Sequence, residues 1–150
     1  MNNKVCFMFG HADCPESMLP NIAEAVERCY SSHGISDFYV GNRGQFDRLA
    51  AIAVKQAKQR HGDIRLYLLL AYHPAERPVD LRQGFDGSFY PPLENTPRPF
   101  TIVKANRYMV DTSSCLICYV KHTGNARNLL DYAQKRMRAG VPIENVAEDS

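Results

Sequence analysis

Three short stretches of this chain hold the residue types that could do chemistry. They are Gly10-His11, the run Gly41-Asn42-Arg43-Gly44 with Asp47 three residues on, and His122-Thr123-Gly124-Asn125. Each closes an apolar, strand-like run, and the second and third lead directly into a stretch with helical spacing. A strand, a glycine turn and a helix start leave backbone N–H groups without intrahelical partners at the positive end of the helix dipole, which suits a phosphate or a carboxylate. Arg43 could add a bidentate charge-assisted contact. Asn42, Thr123 and Asn125 add donors, while Asp47 could accept from a sugar hydroxyl or a base, or serve as a first-turn acid of its helix. His11 or His122, working with Asp47, could move a proton. Three histidines, His11, His73 and His122, fall at or just beyond strand ends and could be metal ligands or a general acid/base, but a polar histidine there is usually just hydrogen-bonded, so no metal is expected.

These turns must be positioned by a regular alternation of strands and helices. Residues 4–10 are nearly uninterrupted apolar, as expected of a strand covered on both faces. Residues 17–33 carry an apolar stripe of Leu19, Ile22, Ala23, Val26 and Tyr30, with Glu24, Glu27 and Arg28 facing away and Gly34 as a stop. A second strand ends at Gly41, and Phe46, Ala50, Ala53, Val54 and Ala57 stripe the helix that follows, which ends near His61-Gly62. Residues 64–72 read as a third buried strand. Residues 73–100 break the pattern with six prolines, at 74, 78, 91, 92, 97 and 99, yet keep Phe85, Phe89 and Tyr90 for packing. Such an insert is either a lid or a shield for an edge strand. A short helix over 101–110 precedes a fourth strand at 115–120. The last long helix is striped by Ala126, Leu129, Leu130, Ala133 and Met137 and closed by Arg136, Arg138 and Gly140. Residues 141–146 form a fifth strand, at an edge because Pro142 lacks a donor, and the tail Ala147-Glu148-Asp149-Ser150 is expected to fray.

This order predicts a single α/β domain over residues 1–150: a Rossmann-like, doubly wound, mostly parallel five-stranded sheet in the order 3-2-1-4-5, flanked by helices. Ligands of such sheets sit beyond the carboxyl ends of the strands, so all three glycine turns should face one crevice. The turns match neither the G-x-G-x-x-G dinucleotide fingerprint nor the G-x-x-x-x-G-K-[ST] phosphate loop, which disfavours ordinary NAD and ATP enzymes; no resident cofactor is expected.

Composition narrows the partners. A net charge of +2 over 150 residues, with both signs mixed, gives no nucleic-acid or anionic-membrane signal. No apolar stretch is long enough to span a membrane, and residues 1–4 lead straight into a strand without a signal-peptide shape, so a cytoplasmic protein is expected. The odd count of five cysteines fits reduced thiols. Cys115 and Cys118 have C-x-x-C spacing, but in a strand they point to opposite faces, which argues against zinc or redox chemistry.

Four runs taken together carry a family resemblance: Met8-Phe9-Gly10-His11, Val40-Gly41-Asn42-Arg43-Gly44-Gln45-Phe46-Asp47, Ala105-Asn106-Arg107-Tyr108-Met109-Val110-Asp111, and Tyr119-Val120-Lys121-His122-Thr123-Gly124-Asn125-Ala126. In order and spacing they resemble the SLOG superfamily, nearest its YpsA-like bacterial branch and more distantly the LOG (lysine decarboxylase-like) and DprA proteins. The resemblance implies a Rossmann-like domain that binds a nucleotide or a nucleotide-derived ligand, in several branches as a sensor. It implies binding roles for Gly10, His11, Gly41, Asn42, Arg43, Gly44, Asp47 and Gly124, and Asn106 and Arg107 match its pattern too. LOG enzymes hydrolyse the N-glycosidic bond of nucleoside monophosphates with a glycine-rich turn and a glutamate. The matching turn here has one glycine and lacks the acid.

Three readings follow for function. One is a module that binds or senses a nucleotide or related phosphorylated molecule; another is a nucleoside-phosphate hydrolase using Asp47 with His11 or His122; the third is a structural partner with a vestigial crevice. A homodimer would be common for such folds.

Overall fold

Apolar runs too short to be helices alternate with amphipathic stretches, and the alternation folds into a sheet between two helical layers. The computed structural model describes residues 4–77, 80–81, 83–136 and 141–149. Strand β1 (Val5–Gly10) lies at the centre, and helix α1 (Leu19–His33) carries the chain across to β2 (Asp37–Val40). Helix α2 (Gln45–Arg60) and β3 (Arg65–Leu69) follow, then β4 (Gly87–Phe89), α3 (Thr101–Thr112), β5 (Cys115–Tyr119), α4 (Asn125–Arg136) and β6 (Ile143–Asn145). All neighbouring strands pair parallel, in the order β4-β3-β2-β1-β5-β6.

The predicted α/β doubly wound architecture is present, with one correction. The sheet has six strands rather than five, and the five predicted ones keep their relative order. The added strand, β4, comes from the proline-rich insert, where three residues between Gly84 and Pro91 are too few to show a period in sequence. It lies against β3, whose edge would otherwise be open. Leu70 N–H donates to the Phe89 carbonyl at 2.8 Å, and the Asp86 carboxylate accepts from Leu66 N–H at 2.8 Å and from Lys58 at 2.6 Å. This part of the insert shields an edge. The last strand is shorter than the expected 141–146, because it ends at Asn145 and Val146–Asp149 follow as a 3-10 turn in which Val146 is buried. The helix-ending residues Met137, Arg138 and Gly140, together with Pro78 and Ser150, lie outside the described residues.

Two cores sit on opposite faces of the sheet. Alternation along β1 sends Cys6 and Met8 toward α1 and α2, where they meet Ile22, Val26, Phe46, Leu49 and Val54. Phe7 and Phe9 point the other way, toward Ala105 and Met109 of α3 and Leu129 and Leu130 of α4. α1 stops at Gly34, whose φ of +68° suits glycine, with Gly34 N–H donating to Tyr30 and Ile35 N–H to Cys29. Among the described residues, no helix is long and apolar enough to cross a membrane.

The same alternation separates Cys115 from Cys118, one in each core. Cys115 instead meets Cys6 and Cys29, and all five cysteines are free and buried. Burial pushes the Cys118 thiol up to about 12 and the Cys14 thiol up to about 11. The folded protein should therefore leave a disulfide thiol reagent unreacted at pH 8 over minutes, and release five equivalents of chromophore once unfolded. Stoichiometric labelling of the native state would contradict this packing.

Candidate functional site

β1 and β5 are adjacent in the sheet but far apart in the chain, so strand order reverses between them. In doubly wound sheets this switch point is where ligands sit. The strand ends, α3 and the first turn of α4 enclose a cavity of ≈ 450 Å³. The lining includes Gly10 and His11 from β1, Gly41, Arg43, Gly44 and Asp47 from the β2–α2 turn, and Thr123, Gly124 and Asn125 from the β5–α4 turn. Leu69, Ile102 and Leu129 give it apolar walls.

Two sequence-derived candidates lie elsewhere. Asn42 is exposed and lines a neighbouring groove with Lys55 and Phe85. Arg107 is exposed on α3 with its guanidinium 4.6 Å from the Tyr132 ring of α4, whereas its neighbour Asn106 lines the cavity. Helical spacing sends consecutive residues about 100° apart, so only one of the pair can face inward. His73 is also outside the lining, where its Nδ1 accepts from Ala75 N–H at 3.0 Å.

The two helix starts differ in what they leave open. At α2, Gln45 N–H donates to the Ala12 carbonyl at 3.0 Å and Phe46 N–H to the His11 carbonyl at 3.4 Å. Asp47 reaches back to accept Arg43 N–H at 2.8 Å. Gly44 is needed for this fit, because a Cβ there would lie 2.5 Å from Ala12 Cα. The α2 start is thus closed by the chain's own β1–α1 loop. At α4 the situation is reversed. Among the described residues, the N–H groups of Asn125, Ala126 and Arg127 have no acceptor, as expected of a first helical turn. Gly124 has φ +142°, and a Cβ built on it meets nothing within 4 Å. The open amide cluster is therefore at α4.

His11 sets the approach to that cluster. The residue is 5% exposed, and Nε2 accepts N–H groups from Lys121 at 3.0 Å and from His122 at 3.2 Å. An acceptor nitrogen carries no proton, so His11 is neutral with its hydrogen on Nδ1. The β5–α4 loop is pinned to β1 through these bonds. His122 stacks on His11 with centroids 3.7 Å apart and planes 7° from parallel. His122 Nδ1 lies 2.7 Å from the Thr123 carbonyl and Nε2 lies 3.0 Å from Asp13. Both neighbours only accept, so a protonated His122 ring can donate from both nitrogens, and the contacts favour the imidazolium. Although ring nitrogens of His11 and His122 and an oxygen of Asp13 lie within 4.8 Å of one another, in-plane lone pairs of parallel rings do not converge on one ion.

The titration behaviour follows from these contacts. Burial, and then the charge of His122, lower the His11 value; the Thr123 carbonyl, and then Asp13, raise that of His122. A raised histidine contributes stability that is complete below its unfolded value of about 6.5 and is lost as pH rises through its folded value. In an NMR titration the His122 ring should titrate above that reference and the His11 ring below it. Coincident midpoints would show that the stack is not formed. Asp47 moves in the opposite sense to a salt-bridged acid: burial pushes its carboxyl up to about 6, against the lowering effect of the Arg43 N–H and guanidinium.

Asp13 is the site residue that residue patterns pass over. Its one signal is the position two residues after a strand-end histidine. Asn145 is another, with its side-chain amide exchanging hydrogen bonds with Val120 N–H (3.0 Å) and carbonyl (2.9 Å), which extends β5 by one residue before the loop departs.

No family model matches the chain, and no curated protein matches it. Among solved structures, it is similar to the Moco carrier protein from Chlamydomonas reinhardtii, with a TM-score of 0.56 and 16% identity, covering 97% of this chain and 92% of that one. At that identity the likeness shows the fold, a Rossmann-like α/β sheet, over nearly the whole of both chains.

Proposed function

We propose that this protein binds a nucleotide, or a nucleotide-derived phosphorylated small molecule, as a binding or sensing module, with a phosphate at the start of α4. The observation that carries the reading is the α4 start itself: three N–H groups without acceptors behind Gly124, with open space where a side chain would stand. The cavity volume of ≈ 450 Å³ falls in the range of small-molecule sites, and its apolar walls suit a base or another flat ring. The name of the structural neighbour, a Moco carrier, supports a role in holding a small molecule.

The test is a thermal-shift screen against nucleoside 5′-monophosphates, with the free base measured in parallel. A ligand at one hundred times its Kd stabilises by about 2.7 kcal/mol, so Tm should rise by roughly 5–10 °C without base release. Gly124→Val, strained at φ +142° and so lower in Tm without ligand, should still fold, as judged by circular dichroism, yet lose this shift. Absence of any shift at millimolar concentration would overturn the proposal. A hydrolase is the second reading, favoured by Asp47, whose value near neutrality is what a general acid requires. Release of free base would select it.

A further inference from the structure

A second cationic feature stands at the opposite side of the same strand ends. Tyr72, just beyond β3, has three guanidinium carbons around its ring: Arg77 at 4.0 Å, Arg43 at 5.5 Å and Arg98 at 5.9 Å. They come from three separate segments. Arg43 belongs to the β2–α2 turn and also lines the cavity; Arg77 is set by a turn in which its N–H donates to the His73 carbonyl at 3.0 Å; Arg98 opens the 3-10 turn ahead of α3. Among the described residues one ion pair touches the group, Glu76 with Arg98 at 3.7 Å. Asp47 is a second carboxylate, acting on the Arg43 guanidinium, but two carboxylates do not offset three guanidinium charges, and a π face attracts cations without neutralising them. An anion would. The planar forks of arginine match phosphate oxygens in particular.

The sheet order gives the distance between this group and the α4 amides. Arg43 follows β2 and Tyr72 follows β3, whereas α4 follows β5, so the strands that carry the two poles are two to three spacings apart, roughly 10–14 Å, a gap that the phosphates of one nucleotide and the donors on either side of them fill together. A 5′-monophosphate carries one anionic group and reaches one pole. We infer that the cavity takes a nucleotide with two separated phosphates, one held by the α4 amides and the other by Arg43, Arg77 and Arg98. This inference rests on the proposed phosphate site at α4 and narrows its ligand to the class of nucleoside bisphosphates.

Isothermal titration calorimetry with the four common nucleoside 5′-monophosphates and their 3′,5′-bisphosphates tests it. The preferred base should bind at least tenfold tighter as the bisphosphate. In the Arg77→Ala/Arg98→Ala double variant, which alters two exposed side chains, that advantage should fall below about twofold while monophosphate affinity stays unchanged. The conservative double variant, Arg77→Lys with Arg98→Lys, should retain part of it. Equal affinities in the unaltered protein, or an advantage that survives the double alanine variant, would overturn the inference and leave the α4 site standing. Failure of every nucleotide to bind would overturn both.

Discussion

Asp47→Asn should make the folded protein more stable at pH 8 and leave it unchanged near pH 3.5. A carboxyl whose value rises from 3.8 to about 6 on folding is protonated more readily in the native state than in the unfolded chain. Stability from this group is therefore highest below pH 4, declines as pH rises from about 4 to about 6, and is flat above. This is the reverse of the behaviour of a salt-bridged acid. At 1.36 kcal/mol per unit, the shift corresponds to about 1–3 kcal/mol at pH 8. Asparagine keeps an oxygen to accept the Arg43 N–H, so the turn is retained while the half-buried charge is removed. Urea denaturation of both proteins at the two pH values measures the difference, and equal stability at pH 8 would refute the assignment. A cavity-lining acid kept at a stability cost fits the trade-off seen where function needs the group. The same variant is expected to weaken nucleotide binding.

Gly44→Val should unfold the molecule more readily, by about 3 kcal/mol or more, with Tm lower by roughly 10 °C. The backbone of Gly44 is extended at φ −175°, so the effect does not arise from forbidden torsions. It arises from contact. The new Cβ would lie 2.5 Å from Ala12 Cα and 2.6 Å from Ala12 Cβ, and neither atom can swing aside. Separating the loops would lengthen the bonds from Gln45 N–H to Ala12 and from Phe46 N–H to His11. Each such bond is worth about 1 kcal/mol. Because His11 also holds the β5–α4 loop, the lesion should reach the α4 amides and reduce ligand affinity. Gly62→Ala is the control: nothing lies within 4 Å of its Cβ, and its stability should change by less than about 0.5 kcal/mol. Equal effects at the two positions would refute the contact argument.

Period and punctuation make most of the architecture legible in the residues alone. The uninterrupted apolar run of β1, the stripes of α1, α2 and α4, and the stop at Gly34 each follow from short-range rules, and right-handed crossovers then leave few strand orders. β4 is illegible because its three residues owe their conformation to pairing with β3 and not to their own pattern. At the site, Gly41 to Gly44 looks more like an anion-binding turn than the Gly124 turn does, since it has two glycines and an arginine. In the folded chain the amides that follow it are engaged by Ala12 and His11, carbonyls that lie far earlier in the sequence. Local spacing does not encode such a plug. Likewise His11 and His122 are separately conspicuous, but their stacking, and the role of Asp13, depend on β1 and β5 being neighbours.

The two margins of the sheet are both brief, since β4 and β6 are three residues each and are followed by Pro91-Pro92 and by a 3-10 turn, respectively. Long ragged borders invite other chains to stitch on as extra ribbons, whereas these give an incoming ribbon almost no ladder to continue. Self-association, should two molecules meet, would have to draw on the outer surfaces of the helices. The polymerising route open to many β-rich proteins is blunted at both ends.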